Sequence, residues 1–208
     1  MENYFTHPQQ LRYFTLQDRN PEVCNHLVIA LHGYGQLAKY FIEKFKSLAP
    51  TVFILVPEGP HRFYLEGSSG RVGASWMTKE ARELDIENNL AWLNALMMDF
   101  TSKHSFDKIS LLGFSQGGAT AARWVQSSPQ MFHNLILWAA VFPPDLSPTD
   151  FQHIQITKKF VLGKKDPFFT AESVQQELLS NHVNLGFETH VFEGEHNLDH
   201  AVLEKMLA

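Results

Sequence analysis

Ser115 stands in Gly113-Phe114-Ser115-Gln116-Gly117. This fits G-x-S-x-G, the sharp strand-to-helix turn that exposes a nucleophilic serine. A serine hydroxyl is a poor nucleophile at neutral pH and needs an adjacent base. His196 follows the last apolar run, and Asp166 precedes Pro167 after an earlier one. The order nucleophile, acid, histidine is the one an elbow serine takes along its chain. In that arrangement His196 takes the proton from Ser115 and returns it to the leaving group. Asp166 holds the imidazole through its other nitrogen. Charge developing on a reacting carbonyl oxygen needs N–H donors aimed at it. The Gln116 amide, at a helix N-terminus, is one candidate. The Tyr34 amide in Leu31-His32-Gly33-Tyr34-Gly35 is the other, because Gly33 and Gly35 let that loop come close.

These assignments have rivals in the chain. His200 is four residues beyond His196 and competes unless it lies inside the closing helix. Asp145 and Asp150 compete with Asp166, which could also be a plain turn former. His32 reads either as a reactive group or as a loop-ordering histidine bonded to backbone. Phe63 and Tyr64 fall in an expected loop near the strand ends, as do Trp76, Met77, Phe142, Phe168 and Phe169. Such residues either belong to the core or line an acyl pocket. The last five are the candidate substrate-binding residues. The eleven His show no H-x-x-x-H or H-E-x-x-H pair on an expected helix, so neither a metal nor a cofactor is expected.

Positioning these groups requires strand ends. Lys108 to Gly113 reads as the strand entering the turn, and the helix after it runs to Ser127, before Pro129. His26 to Leu31, Thr51 to Val56, Asn134 to Ala139, Thr157 to Leu162 and Phe187 to Phe192 read as further strands. Helices are expected over Leu37 to Leu48, Glu80 to Lys103, Ala171 to Asn181 and Asp199 to Leu207. The second has Leu84, Leu90, Leu93, Leu96 and Met97 on its apolar side. Arg12 to Gln17 alternates like an edge strand, with Tyr13, Thr15 and Gln17 on one face. Asp18 to Pro21 reads as a turn, and Phe63 to Thr78 as a long polar, glycine-rich loop. Continuous apolar strands alternating with helices predict an α/β fold, a mostly parallel central sheet with helices on both faces. No stretch suits a separate cap domain, so residues 1–208 are expected to form one domain with an open site.

Hydrophobic residues make up 44% of the 208 and charged residues 19%, the balance of an ordinary globular chain with a sizeable core. A formal net charge of −5 argues against nucleic acid or an anionic membrane as main partner. No apolar run reaches the roughly 20 residues of a membrane helix, so stable membrane insertion is not expected. Met1-Glu2-Asn3-Tyr4 lacks the basic and apolar regions of a signal peptide, so a cytoplasmic location is expected. The single Cys24 rules out an internal disulfide and reads as a small residue near the sheet edge. A monomer or a homodimer fits equally.

Taken together, the chain resembles the phospholipase/carboxylesterase family of α/β-hydrolases, the group that includes acyl-protein thioesterases. The resemblance covers most of the chain. It rests on Leu31-His32-Gly33-Tyr34-Gly35, Gly113-Phe114-Ser115-Gln116-Gly117-Gly118, Asp166-Pro167 and Gly194-Glu195-His196. It implies the α/β-hydrolase fold, with Ser115, Asp166 and His196 as triad and Tyr34 and Gln116 as oxyanion hole. Ser75-Trp76 resembles the family's loop tryptophan near the acyl site. The implied activity is cofactor-free cleavage of carboxylic esters or thioesters through an acyl-enzyme. Implied substrates are small-molecule or lipid esters and acylated proteins. Tyr34 and Gln36 replace the more usual Leu and Asp. Phe168-Phe169-Thr170 replaces a valine- and proline-containing run, and Glu195 crowds the histidine; these departures bear on substrate preference. Two other functions fit the same residues: a non-catalytic small-molecule receptor, and acyl transfer or perhydrolysis on the same triad.

Overall fold

Leucine, isoleucine and valine runs build the sheet in the computed structural model, which describes residues 1, 3–16 and 19–208. The expected roles of Gln17 and Asp18 lie outside the described residues. The first half of the chain gives β1 (Tyr13–Thr15), β2 (His26–Leu31), α1 (Ala38–Phe41), β3 (Val52–Pro57), β4 (His61–Glu66), β5 (Ser69–Ser75) and α2 (Arg82–Lys103). The second gives β6 (Lys108–Phe114), α3 (Gln116–Ser127), β7 (Asn134–Trp138), α4 (Pro148–Gln152), β8 (Thr157–Gly163), α5 (Glu172–Asn184), β9 (Glu188–Phe192) and α6 (His200–Leu207).

Seven strands form one sheet in the order β1-β3-β2-β6-β7-β8-β9. β1 is an antiparallel edge strand on β3, and the other neighbours are parallel. Alternate residues of each strand serve opposite faces. Leu27, Ile29, Leu111, Leu135 and Phe160 pack with Leu93, Met97, Trp124 and Leu178 of α2, α3 and α5. Val28, Ala30, Leu112, Ile136 and Val161 pack with Phe41, Ile42 and Phe45 at α1, and with Leu203 and Met206 of α6. Helices therefore cover both faces, in the α/β-hydrolase arrangement, with no separate cap among the described residues. None of the described helices is long and apolar enough to cross a membrane.

Four expectations are corrected. Phe63 to Thr78 is largely an antiparallel hairpin, β4 on β5, turning at Gly67. Most of its side chains are exposed, so it carries no apolar alternation to read. The expected helix over Leu37 to Leu48 is one α-helical turn continued by a 3-10 turn over Ile42–Phe45, although Phe41, Phe45 and Leu48 are buried as expected. Leu84 is 36% exposed, because the buried stripe of α2 runs through Asn89, Leu93, Met97 and Phe100 and Leu84 stands off that face. Cys24 is buried in the core before β2, an inner strand, with its thiol 3.4 Å from the Pro50 carbonyl.

Buried histidines, His182 and His26 among them, make stability depend on pH. The His182 ring stacks 3.7 Å from Phe160 and its Nδ1 donates to the Leu178 carbonyl. Burial lowers its pKa to about 4. His26, bonded to Ser110 across β2 and β6, is likewise lowered to about 4, by burial and then by Lys108 and His133. Both folded values lie below the ordinary 6.5, so unfolding takes up protons as pH falls from about 6.5 to about 4. Their contribution is full above pH 6.5 and shrinks below it, by on the order of 3 kcal/mol for fully buried His182. Thermal melts across this range are expected to show Tm falling below about pH 6.5, less steeply in His182→Leu. An identical slope in that variant contradicts this account.

Candidate active site

β2 and β6 are neighbours, yet the chain proceeds outward from them in opposite directions, to β3 on one side and to β7, β8 and β9 on the other. Ligands of open α/β sheets bind at such a reversal, outside the carboxyl ends of the strands. Ser115 follows β6 there, and His32 to Gln36 follows β2. Ser115 has φ 52° and ψ −119°, a strained conformation for a residue with a side chain. Its N–H donates to the Trp138 carbonyl at 2.9 Å, and its carbonyl accepts from the Gly118 N–H at 2.9 Å. A Cβ at Gly117 would lie 2.3 Å from the Leu31 carbonyl oxygen, so the turn rests on backbone at the end of β2. Gly117→Ala is expected to cost about 1–3 kcal/mol and to displace Ser115. Urea unfolding checks this; an unchanged midpoint contradicts it.

Asp166 and His196 come from the loops after β8 and β9, which are joined backbone to backbone. Lys164 N–H donates to the Phe192 carbonyl at 2.9 Å and Lys165 N–H to the Gly194 carbonyl at 2.8 Å. A Cβ at Gly163 would meet the Gly194 oxygen at 2.5 Å, which is why the loops can run so close. Across them His196 Nδ1 lies 2.7 Å from Asp166 Oδ2. Asp166 is buried, and its Oδ1 accepts from the Phe168 N–H at 2.9 Å. A carboxylate only accepts, so Nδ1 carries the proton and Nε2 of the neutral ring is left as acceptor. The His196 ring sits between Phe114, 4.9 Å away beside Ser115, and Phe168, 4.5 Å away. Among the described residues no hydrogen bond joins Ser115 Oγ to His196; the ring reaches the elbow through Phe114.

The rivals are engaged elsewhere. His200 opens α6 and faces Ser47 Oγ at 3.2 Å. Asp145 receives two bonds from Arg123, at 2.8 and 2.7 Å, and one from Arg82. The Arg123 guanidinium holds its carboxyl well below the usual carboxylate range. Asp150 lies in α4, where its N–H donates to Ser147 Oγ. His32 is buried, with Nδ1 2.8 Å from the Gly33 carbonyl and Nε2 accepting from the Gly59 N–H at 2.9 Å. Burial lowers its pKa, and both nitrogens serve the backbone.

The candidate substrate-binding residues separate. Met77 and Phe142 line a groove of about 530 Å3 with Gln116, Ala119, Arg123 and Val141. Phe168 is 72% exposed beside His196. Trp76, for which the sequence leaves core and acyl pocket as alternatives, is fully buried, and its indole N–H donates to the His32 carbonyl at 2.8 Å. Phe169 packs partly buried against the main core. Ala119 and Arg123 were not singled out, although with Gln116 they fall three and seven residues apart on one face of α3. The Gln116 and Tyr34 N–H groups have no acceptor among the described residues.

A family model described as Phospholipase/Carboxylesterase matches residues 18–208. The comparison with curated proteins finds no match. Solved structures of similar fold include a carboxylesterase from Mesorhizobium loti, 17% identical with TM-score 0.72, covering 95% of this chain and 94% of that one. Esterase PE8 is 19% identical with TM-score 0.70, covering 96% and 97%. Acyl-protein thioesterase 2 of Zea mays is 18% identical with TM-score 0.65, covering 94% and 96%. At these identities the likeness is one of fold.

Proposed function

The chain belongs to the phospholipase/carboxylesterase family of α/β-hydrolases, and we propose that it hydrolyses carboxylic esters or thioesters through an acyl-enzyme on Ser115. The observation that carries this reading is the 2.7 Å His196–Asp166 pair beside a serine strained into an elbow. His196 Nε2 removes the Ser115 proton as Oγ attacks the acyl carbon, and returns it to the departing alcohol or thiol. Water then repeats the cycle against the acyl-enzyme. Asp166 fixes the imidazole tautomer and stabilises the imidazolium. The serine–histidine hydrogen bond, not made in the free structure, forms in the substrate complex, where catalytic hydrogen bonds commonly close up. The Tyr34 and Gln116 N–H groups receive the oxyanion, and loss of one such donor typically raises the barrier by about 2.7–4 kcal/mol.

The groove walled by Met77, Phe142 and Val141 suits an apolar acyl chain, so a small-molecule or lipid ester is the substrate class this reading favours. A p-nitrophenyl ester series of increasing chain length tests it. Turnover with a preference beyond acetate is expected. Saturable binding without turnover points instead to a receptor, and trapping of the acyl group by added alcohols or peroxide points to acyl transfer or perhydrolysis.

A further inference from the structure

We propose that Trp76 is a positioning residue that ties the two N–H donors of the oxyanion hole to each other; this rests on the hydrolase reading above. The main-chain N–H of Trp76 donates to Gln116 Oε1 at 3.1 Å, and its indole N–H donates to the His32 carbonyl at 2.8 Å. One buried residue thus grips both the residue that supplies one donor and the start of the loop that supplies the other. Neighbours extend the grip. Gln116 Nε2 donates to the Met77 carbonyl and to Ser75 Oγ, both at 3.0 Å. Beyond Tyr34, the Gly35 N–H donates to the Ala74 carbonyl at 2.9 Å, and the Ala74 N–H to the Gln36 carbonyl at 3.2 Å. The Tyr34 peptide is therefore held on both sides by the segment 74–76. That segment is anchored to α2, where Asn89 Nδ2 donates to the Trp76 carbonyl at 2.6 Å.

A loop carrying Gly33 and Gly35 has little stiffness of its own. An oxyanion hole works only when its donors are fixed before charge develops. The restraint must come from outside the loop, and Trp76 meets both halves, Gln116 through its main-chain N–H and His32 through its indole N–H. Phenylalanine at this position keeps the aromatic bulk and loses the donor to His32. The role predicts a loss confined to the transition state, since substrate contacts and the Ser115–His196–Asp166 set are untouched.

The test compares wild type, Trp76→Phe and Gln116→Ala. The last keeps its own backbone N–H and removes the acceptor for Trp76. Each variant is expected to lose kcat by about tenfold or more with an unshifted pH profile of kcat/KM, and KM stays within about twofold in Trp76→Phe, whose side chain is outside the groove that Gln116 helps to line. Affinity for an alkyl trifluoromethyl ketone, whose adduct places an oxyanion in the hole, is expected to fall by the same factor. If Trp76→Phe does not fold, Gln116→Ala carries the comparison. Variants that keep wild-type kcat and ketone affinity overturn the proposal, and so does a Trp76→Phe whose loss lies in KM alone. An inactive wild type sinks the hydrolase reading, and this proposal with it; an active wild type with unaffected variants sinks this proposal only.

Discussion

Ser115→Ala is expected to lower kcat on p-nitrophenyl esters by about 10⁴-fold or more, with Tm within a degree or two of wild type. The separation follows from the geometry. Alanine has the same Cβ as serine, so it meets φ 52° at no added strain, and the backbone bonds to Trp138 and Gly118 remain. Only the hydroxyl goes, and with it the covalent route. What remains is attack by water in a site that still binds substrate and still offers two N–H donors. Stopped-flow and steady-state assays on the folded variant check both halves. Retained turnover moves the nucleophile elsewhere; a large fall in Tm means that the loss of activity is not specific to the hydroxyl.

Asp166→Asn is expected to cost kcat nearly as much, about 10⁴-fold, for a reason peculiar to the contacts of this carboxylate. Asp166 Oδ1 accepts from the Phe168 N–H, which fixes the orientation of an amide placed there. The asparagine oxygen takes that bond, and its NH2 group then faces His196 Nδ1. Two donors cannot meet, so Nδ1 becomes the acceptor and the proton moves to Nε2, where it blocks proton removal from Ser115. The expected pattern is a fall in kcat with KM little changed and ring contacts to Phe114 and Phe168 intact. A loss below about tenfold contradicts a tautomer-setting role for Asp166.

The strands that position the site were legible in the chain because they are buried on both faces. β2, β6 and β8 each close on buried apolar residues, Leu27 to Leu31, Leu111-Leu112 and Phe160 to Leu162, and lead to groups that look out of place, a histidine–glycine loop, a serine between glycines and an aspartate before proline. The pairing of β2 with β6 joins residues far apart in the chain, His26 with Lys108, so no local pattern announces it, and it is the reversal there that brings the two loops together. The hairpin was illegible for the opposite reason. Most side chains of β4 and β5 meet water, and their strand character comes from pairing with each other and with Gln36. The sequence therefore leaves Trp76 in a loop, with core and acyl pocket as alternatives. It sits where the hairpin rejoins the core, and its partners, Gln116, His32 and Asn89, are distant in the chain. Leu84 illustrates the limit of counting apolar residues on a helix: α2 buries a stripe that begins only at Asn89.

The measurement that bears most directly on the account is covalent labelling by an alkyl fluorophosphonate, with the adduct mapped by peptide mass spectrometry. One adduct is expected, on Ser115, absent in Ser115→Ala and formed about 10²–10⁴-fold more slowly in His196→Ala. An adduct on another residue, or labelling of Ser115 at the wild-type rate without the imidazole, contradicts a serine activated by His196.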